Sequence, residues 1–376
     1  PALRMMKVEE TVKQRLSRTH PHLTFTTDRR ALLTQDHMGR AACHFCGPCH
    51  FGCSTGSYFS ALSSTLPAAR ATGNLTLRTD ALVESVMLGE DGRATGVQLI
   101  DTRTGERQQL TARMVFLCAG TIATTQILLN SRSTSHPDGL GNQGGALGCY
   151  LMDHLTGMVS GTMSDHLDRY YRGYRPSNCY IPRFRNLTHG GADFVRGYGY
   201  QIYVFREDWR HQAGAPGMGA ALKERLRKPG RWVIVLHGFG ECLPRRENRV
   251  TLHPTAVDRF GVPLVSIQFE WDRNEHAMYR DVIQNGLEIL ESAGAVERAV
   301  LGGMSTPGSA VHVMGTARMG ADPSDSVVNH RNQVHGVSNL FVTDGACMTS
   351  SSCVNPSLTY MALTARACDF ALEVLK

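Results

Sequence analysis

Residues 312–320 read HVMGTARMG, residues 344–345 read DG and residues 355–356 read NP, and these three short motifs decide the fold. The DG pair follows a short apolar run that predicts a strand. Asn is a favoured N-cap and Pro suits the first helical position, so a helix is predicted to start at Asn355. Its apolar residues recur at helical spacing, at Leu358, Met361, Ala362, Ala365 and Leu372.

The order of these motifs resembles the C-terminal signature of the glucose-methanol-choline (GMC) flavoprotein oxidoreductases. The resemblance implies that His312 and Asn355 face the flavin of a bound FAD as catalytic residues. It also assigns Asp344, Gly345, Asn355 and Pro356 to holding the flavin. The predicted helix suits this role, because free N–H groups at a helix start attract the anionic edge of a reduced flavin. The alternative is an ordinary capped helix packed on a core.

The composition predicts a globular protein with about two domains. The chain has 376 residues, 42% of them hydrophobic, which is enough to bury a sizeable core. The sequence has no apolar run close to the roughly 20 residues that a membrane span needs. The net charge of +6 comes mainly from scattered Arg residues, so nucleic-acid binding is not implied.

Four of the eleven cysteines form a compact motif, C-x2-C-x2-C-x3-C, at Cys43, Cys46, Cys49 and Cys53. Bacterial ferredoxins wrap an iron–sulfur cluster with this spacing, although Ser54 stands where they have proline. Structural zinc sites usually draw their ligands from two knuckles that lie further apart. An iron–sulfur cluster is therefore favoured over zinc and over unligated or partly paired thiols.

A bacterial branch of the GMC family has a similar cysteine-rich loop at this point, and it includes gluconate, fructose and glucoside 3-dehydrogenases. The resemblance implies a three- or four-iron cluster that passes electrons from FAD to an acceptor such as cytochrome c or a quinone. It also implies a possible small subunit as partner. The compartment is left open between the bacterial periplasm and the cytoplasm.

Residues 118–131 read CAGTIATTQILLNS, which predicts the end of a strand, a tight Gly turn and a helix. Open sheets bind nucleotides at such junctions, although strand–turn–helix units are common in other folds too. The segment resembles a second GMC signature, with Thr124 and Thr125 at its usual Ser and Pro positions. The resemblance assigns Ala119, Gly120 and, in an earlier strand, Val83 to FAD binding.

Two glycine-rich elements follow. Gly139, Gly141 and Gly144 fit G-x-G-x-x-G, but a polar loop precedes them and the later acidic residue is missing, so they are not a dinucleotide fingerprint. The next stretch resembles the GMC element Gly-Arg-x-x-x-Asp-His. Gly148 and Asp153-His154 match this element, whereas Cys149 replaces its arginine.

The βαβ unit that begins GMC proteins and binds the FAD pyrophosphate is not found in this sequence. The fold class is therefore expected to be α/β. It comprises a GMC-type FAD-binding domain, incomplete here, and an inserted substrate domain of the α+β type with an antiparallel sheet. A fragment lacking its first ~150 to 200 residues is favoured over a second chain that supplies them.

Four segments are predicted. Residues 1–60 form a connecting segment with the cysteine loop, residues 61–154 and 311–376 form parts of the FAD-binding domain, and residues 155–310 form the substrate domain. Substrate contacts are conceivable at Tyr198, Tyr200, Gln201 and Glu241, but half of the side chains of an alternating strand lie in the core. Each of the four is therefore more readily interpreted as a scaffold residue.

The site residues predict a reaction. A flavin oxidises an alcohol when a base removes the hydroxyl proton while hydride leaves the carbon for flavin N5. His312 is the candidate base, Asn355 holds the same oxygen, and Arg318 anchors the loop or balances a carboxylate. The predicted protein is thus an FAD-dependent dehydrogenase for a sugar, glycoside or related alcohol. The alternatives are an oxygen-using oxidase with a structural zinc loop and a non-catalytic electron-transfer subunit.

Overall fold

The computed structural model describes residues 2–47, 49–164, 179–187, 192–207, 216–228 and 230–375. The chain divides into two compact units. Unit 1 comprises Pro1–Thr76, Thr156–Gly240 and His276–Met304, and unit 2 comprises Leu77–Leu155, Glu241–Glu275 and Ser305–Lys376. Each unit is therefore assembled from three separate stretches of the chain.

The units differ from the predicted domains in several stretches. Residues 241–275, and also residue 155 and residues 305–310, belong to unit 2 and not with the rest of the predicted substrate domain. Unit 1 includes the predicted connecting segment, residues 1–60, and residues 61–76. The first difference has a local cause. The Val250 N–H donates to the Gly148 carbonyl over 2.8 Å, so this stretch is hydrogen-bonded to the element that resembles Gly-Arg-x-x-x-Asp-His.

The described part of unit 1 centres on a six-stranded sheet. Its strands are β1 (Thr26–Thr27), β6 (His154–Met163), β7 (Cys179–Ile181), β8 (Tyr198–Arg206), β9 (Trp232–Glu241) and β12 (Val296–Leu301). Their order in the sheet is β1-β7-β8-β9-β6-β12. The pairs β1–β7, β7–β8, β8–β9 and β6–β12 are antiparallel, as predicted for the substrate domain.

Strand β8 shows why its tyrosines are scaffold residues. Tyr198 and Tyr200 are fully buried on one face, and their hydroxyls donate to the Asp281 carboxylate (2.5 Å) and the Val282 carbonyl (2.6 Å). Gln201, on the opposite face, accepts a hydrogen bond from the Arg30 guanidinium over 3.1 Å. The two tyrosine side chains are thus directed toward a helix and unavailable to a substrate.

The helices in the described part of unit 1 are α1 (Lys7–Thr19), α2 (Thr65–Ala71), α4 (Gly219–Arg227) and α5 (Arg273–Ser292). The first residues of α5 belong to unit 2. Helix α1 buries Val8, Val12 and Leu16 on one face, the spacing of an amphipathic helix. The backbone N–H of Met6 donates a hydrogen bond to the Glu9 carboxylate over 2.6 Å. This N–H at the start of the helix therefore has a hydrogen-bond partner.

Unit 2 contains three small sheets. Strands β2 (Ala81–Leu88), β3 (Ala94–Asp101) and β4 (Arg107–Thr111) form an antiparallel meander, and β10 (Arg249–Val257) and β11 (Pro263–Gln268) form a hairpin. Strand β5 (Val115–Leu117) lies parallel to β14 (Val337–Val342), which also pairs with β13 (Gln333–Val334). Helix α3 (Thr121–Asn130) follows β5 through the predicted turn, where Gly120 takes a left-handed φ of 89°.

Helix α6 (Ser357–Leu375) begins two residues after Asn355, close to the predicted start. The apolar stripe noted in the sequence is not the buried face of this helix, because Leu358, Met361 and Leu372 are 79%, 43% and 59% exposed. Ala362 and Ala365 are exposed as well. Ala367 and Ala371 pack against Phe341 instead, since their small side chains let the helix approach β14 closely.

Candidate active site

Two histidines and an asparagine form the centre of the candidate active site in unit 2. His312 Nδ1 lies 2.9 Å from His154 Nδ1, and His312 Nε2 lies 2.9 Å from Asn355 Nδ2. The imidazole rings meet edge to face, with their centroids 4.9 Å apart. His154 is fully buried, His312 is half-buried and Asn355 is exposed. His312 and Asn355, which were predicted as a pair, therefore lie side by side. His154 contacts the other ring nitrogen of His312.

Asp153 holds the backbone around both rings. Its carboxylate accepts the N–H groups of His154 (2.8 Å), His312 (3.2 Å) and Ala310 (3.2 Å). The side chain is buried, so these bonds are shielded from water and stronger than at the surface. One carboxylate thus fixes the positions from which both histidine side chains extend.

His154 has a partner on each ring nitrogen. Its Nε2 lies 3.0 Å from the Ser351 carbonyl oxygen, opposite the nitrogen that faces His312. Burial lowers the pKa of the His154 imidazole, against the smaller opposing effects of the Ser351 carbonyl and the Asp153 carboxylate. The neutral ring is consequently favoured at physiological pH.

Asp344 joins the end of β14 to the Gly120 turn. Its carboxylate accepts bonds from the Gly120 N–H (2.9 Å), the Thr124 hydroxyl (2.5 Å) and the Ala346 N–H (2.9 Å). Burial raises the pKa of the Asp344 carboxyl, while these three donors act in the opposite direction. Both carboxylate oxygens are therefore engaged in shaping the turn.

Gly345 allows the motifs to approach closely. A β-carbon at this position would clash with the Thr121 hydroxyl, lie 2.6 Å from the Val313 carbonyl oxygen and lie 3.0 Å from the Tyr360 hydroxyl. The Thr121 hydroxyl itself donates to the Val313 carbonyl over 2.6 Å. The Asp-Gly turn therefore packs directly against the start of α3 and against the segment after His312.

The residues of unit 2 fit a flavin by their donors and by their open space. Ala119 and Gly120 are exposed, and nothing lies within 4 Å of the position that a Gly120 β-carbon would take. Asn355 lies just before the start of α6, where backbone N–H groups are free of intrahelical partners. Among the described residues, the buried Tyr360 hydroxyl has no hydrogen-bond partner. A flavin bound against this turn and helix start would meet polar groups suited to it.

Two further predicted residues lie elsewhere in unit 2. Val83 pairs with Leu99 in the β2–β3 ladder and packs against the core, and its contact with FAD stays a prediction. The Arg318 guanidinium stacks on Tyr150, 4.0 Å from the ring centroid, and pairs with Asp325 over 3.0 Å. Arg318 therefore does balance a carboxylate, as the sequence suggested.

The four cysteines of the predicted cluster lie in a loop of unit 1. Burial raises the pKa of the Cys49 thiol, and the charges of the Cys43, Cys46 and Cys53 thiolates raise it further, so Cys49 lies within electrostatic range of the other three. The N–H of Phe45 points to Cys43 Sγ and that of Tyr58 to Cys53 Sγ, each over 3.4 Å. Across the part of the chain that the structure describes, however, no three His, Cys, Asp or Glu side chains are grouped to hold a metal ion. The arrangement therefore does not support the predicted cluster.

Sequence reasoning recognised Asp153-His154 as part of a motif but missed its role at the site. The signal was the Asp-His pair of the GMC element, which the structure brings to His312. Ser351 has no sequence signal, because it contributes a backbone carbonyl that any residue could supply. Thr121 and Thr124 lay in a recognised motif, and only the fold reveals their partners.

Comparison with known proteins identifies the family to which this fold belongs. The N-terminal GMC oxidoreductase family model matches residues 29–156 and the C-terminal one matches residues 244–364. The chain belongs to the GMC oxidoreductase family. Both family models are matched. The expectation that the FAD-binding domain is incomplete stays a prediction. No helix among the described residues is long and apolar enough to cross a membrane.

Named relatives cover most of the chain. It is 34% identical to 2-methyl-1,2-propanediol dehydrogenase of Mycolicibacterium austroafricanum, over 90% of this chain and 62% of the relative. It is 26% identical to the fructose dehydrogenase large subunit of Gluconobacter japonicus, over 90% of this chain and 61% of that protein. The chain thus spans under two thirds of the length of these relatives.

A solved structure supports the fold. Pyridoxine 4-oxidase from Mesorbium loti matches 85% of this chain and 62% of its own with a TM-score of 0.54 and 20% sequence identity. At this identity the similarity concerns the fold alone. The GMC fold, with its helices and antiparallel sheets, is therefore confirmed.

Proposed function

We propose that this chain forms the catalytic part of an FAD-dependent dehydrogenase that oxidises a hydroxyl group of a sugar, glycoside or related alcohol. The observation that carries the proposal is the contact of His312 Nε2 with Asn355 Nδ2, 2.9 Å apart. One atom can accept a proton and the other can donate a hydrogen bond, so a substrate hydroxyl can use both. Family membership and the two named dehydrogenases support this reaction class.

The substrate oxygen would replace the direct contact between the two side chains. Asn355 Nδ2 would donate to this oxygen and orient it, while His312 Nε2 would take the hydroxyl proton as the carbon loses hydride. FAD, when bound, supplies the hydride acceptor. The residues proposed to hold it are Val83, Ala119, Gly120, Asp344, Gly345, Asn355 and Pro356.

The experiment that tests this function is His312→Ala in the whole protein. Turnover should fall by roughly 10² to 10⁴, the range for a general base, with flavin content unchanged. The exposed His22 in unit 1 offers a matched control, and His22→Ala should keep native turnover. Near-native turnover of His312→Ala would remove the proposed base.

The cysteine loop supports a finer proposal, a three- or four-iron cluster ligated by Cys43, Cys46, Cys49 and Cys53. The supporting features are the C-x2-C-x2-C-x3-C spacing and the N–H groups directed at Cys43 and Cys53, since hydrogen bonds to sulfur tune such clusters. A bound cluster would supply one-electron transfer toward an acceptor such as cytochrome c or a quinone. The large-subunit relative makes a small subunit a candidate partner.

Iron and acid-labile sulfide in the intact protein test the cluster. Cys49→Ser should lower both, whereas Cys368→Ser, outside the loop, should not. Cys49→Ser should also keep substrate-driven flavin reduction while losing reduction of the natural acceptor. Stoichiometric zinc without sulfide would refute the cluster.

An oxygen-using oxidase with a structural zinc loop is the second candidate. A named relative supports it, because the chain is 28% identical to 6'''-hydroxyparomomycin C oxidase of Streptomyces lividus over 88% of this chain and 58% of that protein. Hydrogen peroxide formed in proportion to substrate under air would support the oxidase. Turnover that requires an added one-electron acceptor would support the dehydrogenase.

A further inference from the structure

His154 lies between a backbone carbonyl and the candidate base. Its Nε2 is 3.0 Å from the Ser351 carbonyl oxygen, and its Nδ1 is 2.9 Å from His312 Nδ1. The ring is fully buried, so both contacts are made away from water. These two contacts determine which ring nitrogens carry hydrogen.

A carbonyl oxygen only accepts hydrogen bonds, so His154 Nε2 must carry the hydrogen of that bond. A neutral imidazole has one N–H, which leaves His154 Nδ1 unprotonated and able only to accept. His312 Nδ1 must then donate, and it carries the hydrogen of its own ring. His312 Nε2 is left with a lone pair.

The Asn355 side chain, which contacts the other ring nitrogen of His312, indicates the same tautomer. Asn355 presents its amide nitrogen to His312 Nε2 over 2.9 Å, and an amide nitrogen only donates. It can pair with Nε2 only if that atom is unprotonated. A carbonyl at one end and an amide N–H at the other therefore require the same tautomer of His312.

The groups around His154 favour its neutral form. Burial lowers the pKa of the imidazole more than the Ser351 carbonyl and the Asp153 carboxylate raise it. Protonation would add a second N–H facing His312 and reverse the polarity of that contact. The neutral ring preserves the direction of all three hydrogen bonds.

We propose that His154 is a positioning residue that holds His312 in the tautomer with hydrogen on Nδ1, which leaves Nε2 unprotonated beside Asn355. The inference rests on the proposed function for the role of Nε2 as the base. A packing role alone would also explain a buried, hydrogen-bonded histidine. The two roles differ in what happens to the tautomer when His154 changes.

The test uses the whole protein with bound flavin and ¹⁵N-labelled histidine. Long-range ¹⁵N–¹H spectra at mildly alkaline pH distinguish protonated from unprotonated ring nitrogens, and the His312→Gln spectrum identifies the His312 signals. The native protein should have a protonated Nδ1 and an unprotonated Nε2 at His312. The reverse pattern would overturn the proposal without any variant of His154.

His154→Asn and His154→Leu form a matched pair, because the side chains have the same shape and only Asn keeps an acceptor near Nδ1. His154→Asn should retain the native tautomer and near-native kcat. His154→Leu should shift His312 toward the Nε2–H tautomer and lower kcat by roughly 10- to 100-fold, the range for partners that fix the tautomer of a metal-binding imidazole, with KM little changed.

The outcomes separate the positioning role of His154 from the proposed function. An unchanged His312 tautomer in folded His154→Leu would overturn the positioning role. The expected tautomer in the native protein, together with near-native turnover of His312→Ala, would overturn the proposed function and leave the positioning role of His154 intact. If His154→Leu does not fold, the native spectrum and the His154→Asn spectrum still decide.

Discussion

Gly345 has room for nothing larger than hydrogen. A methyl group there would clash with the Thr121 hydroxyl and crowd the Val313 carbonyl, which belongs to the segment after His312. We expect Gly345→Ala to lower the free energy of unfolding by about 1 to 3 kcal/mol, the usual cost of overpacking. Denaturant unfolding measures it. Gly303→Ala is the control, because nothing lies within 4 Å of that position, and an equal loss in both variants would contradict the packing argument.

At the scale of single residues, the sequence predicts those that belong to a recognisable motif. His312 and Asn355 were found from their motifs and do lie side by side. The role of His154 was not predictable, because it depends on a carbonyl 197 residues away. The flavin contact that its motif assigns to Asp344 stays a prediction. Its hydrogen bonds from Gly120 and Thr124 were not predictable from the motif, because they depend on how distant segments fold together.

Helix α6 offers a test of packing at the scale of an element. Ala367 is fully buried and Ala365 is exposed on the same helix, so one substitution can be compared at both positions. Ala367→Leu should lower the free energy of unfolding by about 1 to 3 kcal/mol, because the added atoms separate the helix from β14. Ala365→Leu should change it by no more than about 0.5 kcal/mol, as at other surface positions. Similar losses would show that helix propensity, and not packing, is being measured.

The same helix marks the limit of prediction from periodicity. Its start and its helical spacing were predicted correctly, since both are local properties. The apolar stripe does not mark the buried face, because the side of α6 that packs is set by Phe341, an aromatic residue on a strand. Periodicity indicates that a helix has two faces, and only the neighbouring element decides which face is covered.

The whole molecule should lose stability in mild acid through His237. Burial, aided by the Arg30 guanidinium, lowers the pKa of this imidazole to about 4. Between pH ~6.5 and ~4 the unfolded chain gains a proton at this residue that the folded chain excludes, so the free energy of unfolding falls as the pH falls. We expect His237→Gln to reduce the difference in unfolding free energy between pH 7.5 and pH 5 by about 1 to 2 kcal/mol.

Urea unfolding at the two pH values measures this effect. His22→Gln is the matched control, because this histidine is exposed on unit 1 and its removal should leave the pH dependence unchanged. An unchanged pH dependence in His237→Gln would assign the acid sensitivity to other groups.

The hydrogen bonds of Asp153 also constrain the order in which the chain can fold. They join Asp153 to the backbone of Ala310 and His312, 157 and 159 residues later, so no local segment can form them alone. Contacts between residues so distant in the sequence form late in folding, because the entropy cost of closing the intervening loop must be overcome first. The amide hydrogens of Ala310 and His312 should therefore exchange with solvent only when unit 2 opens as a whole, which makes them reporters of its global unfolding.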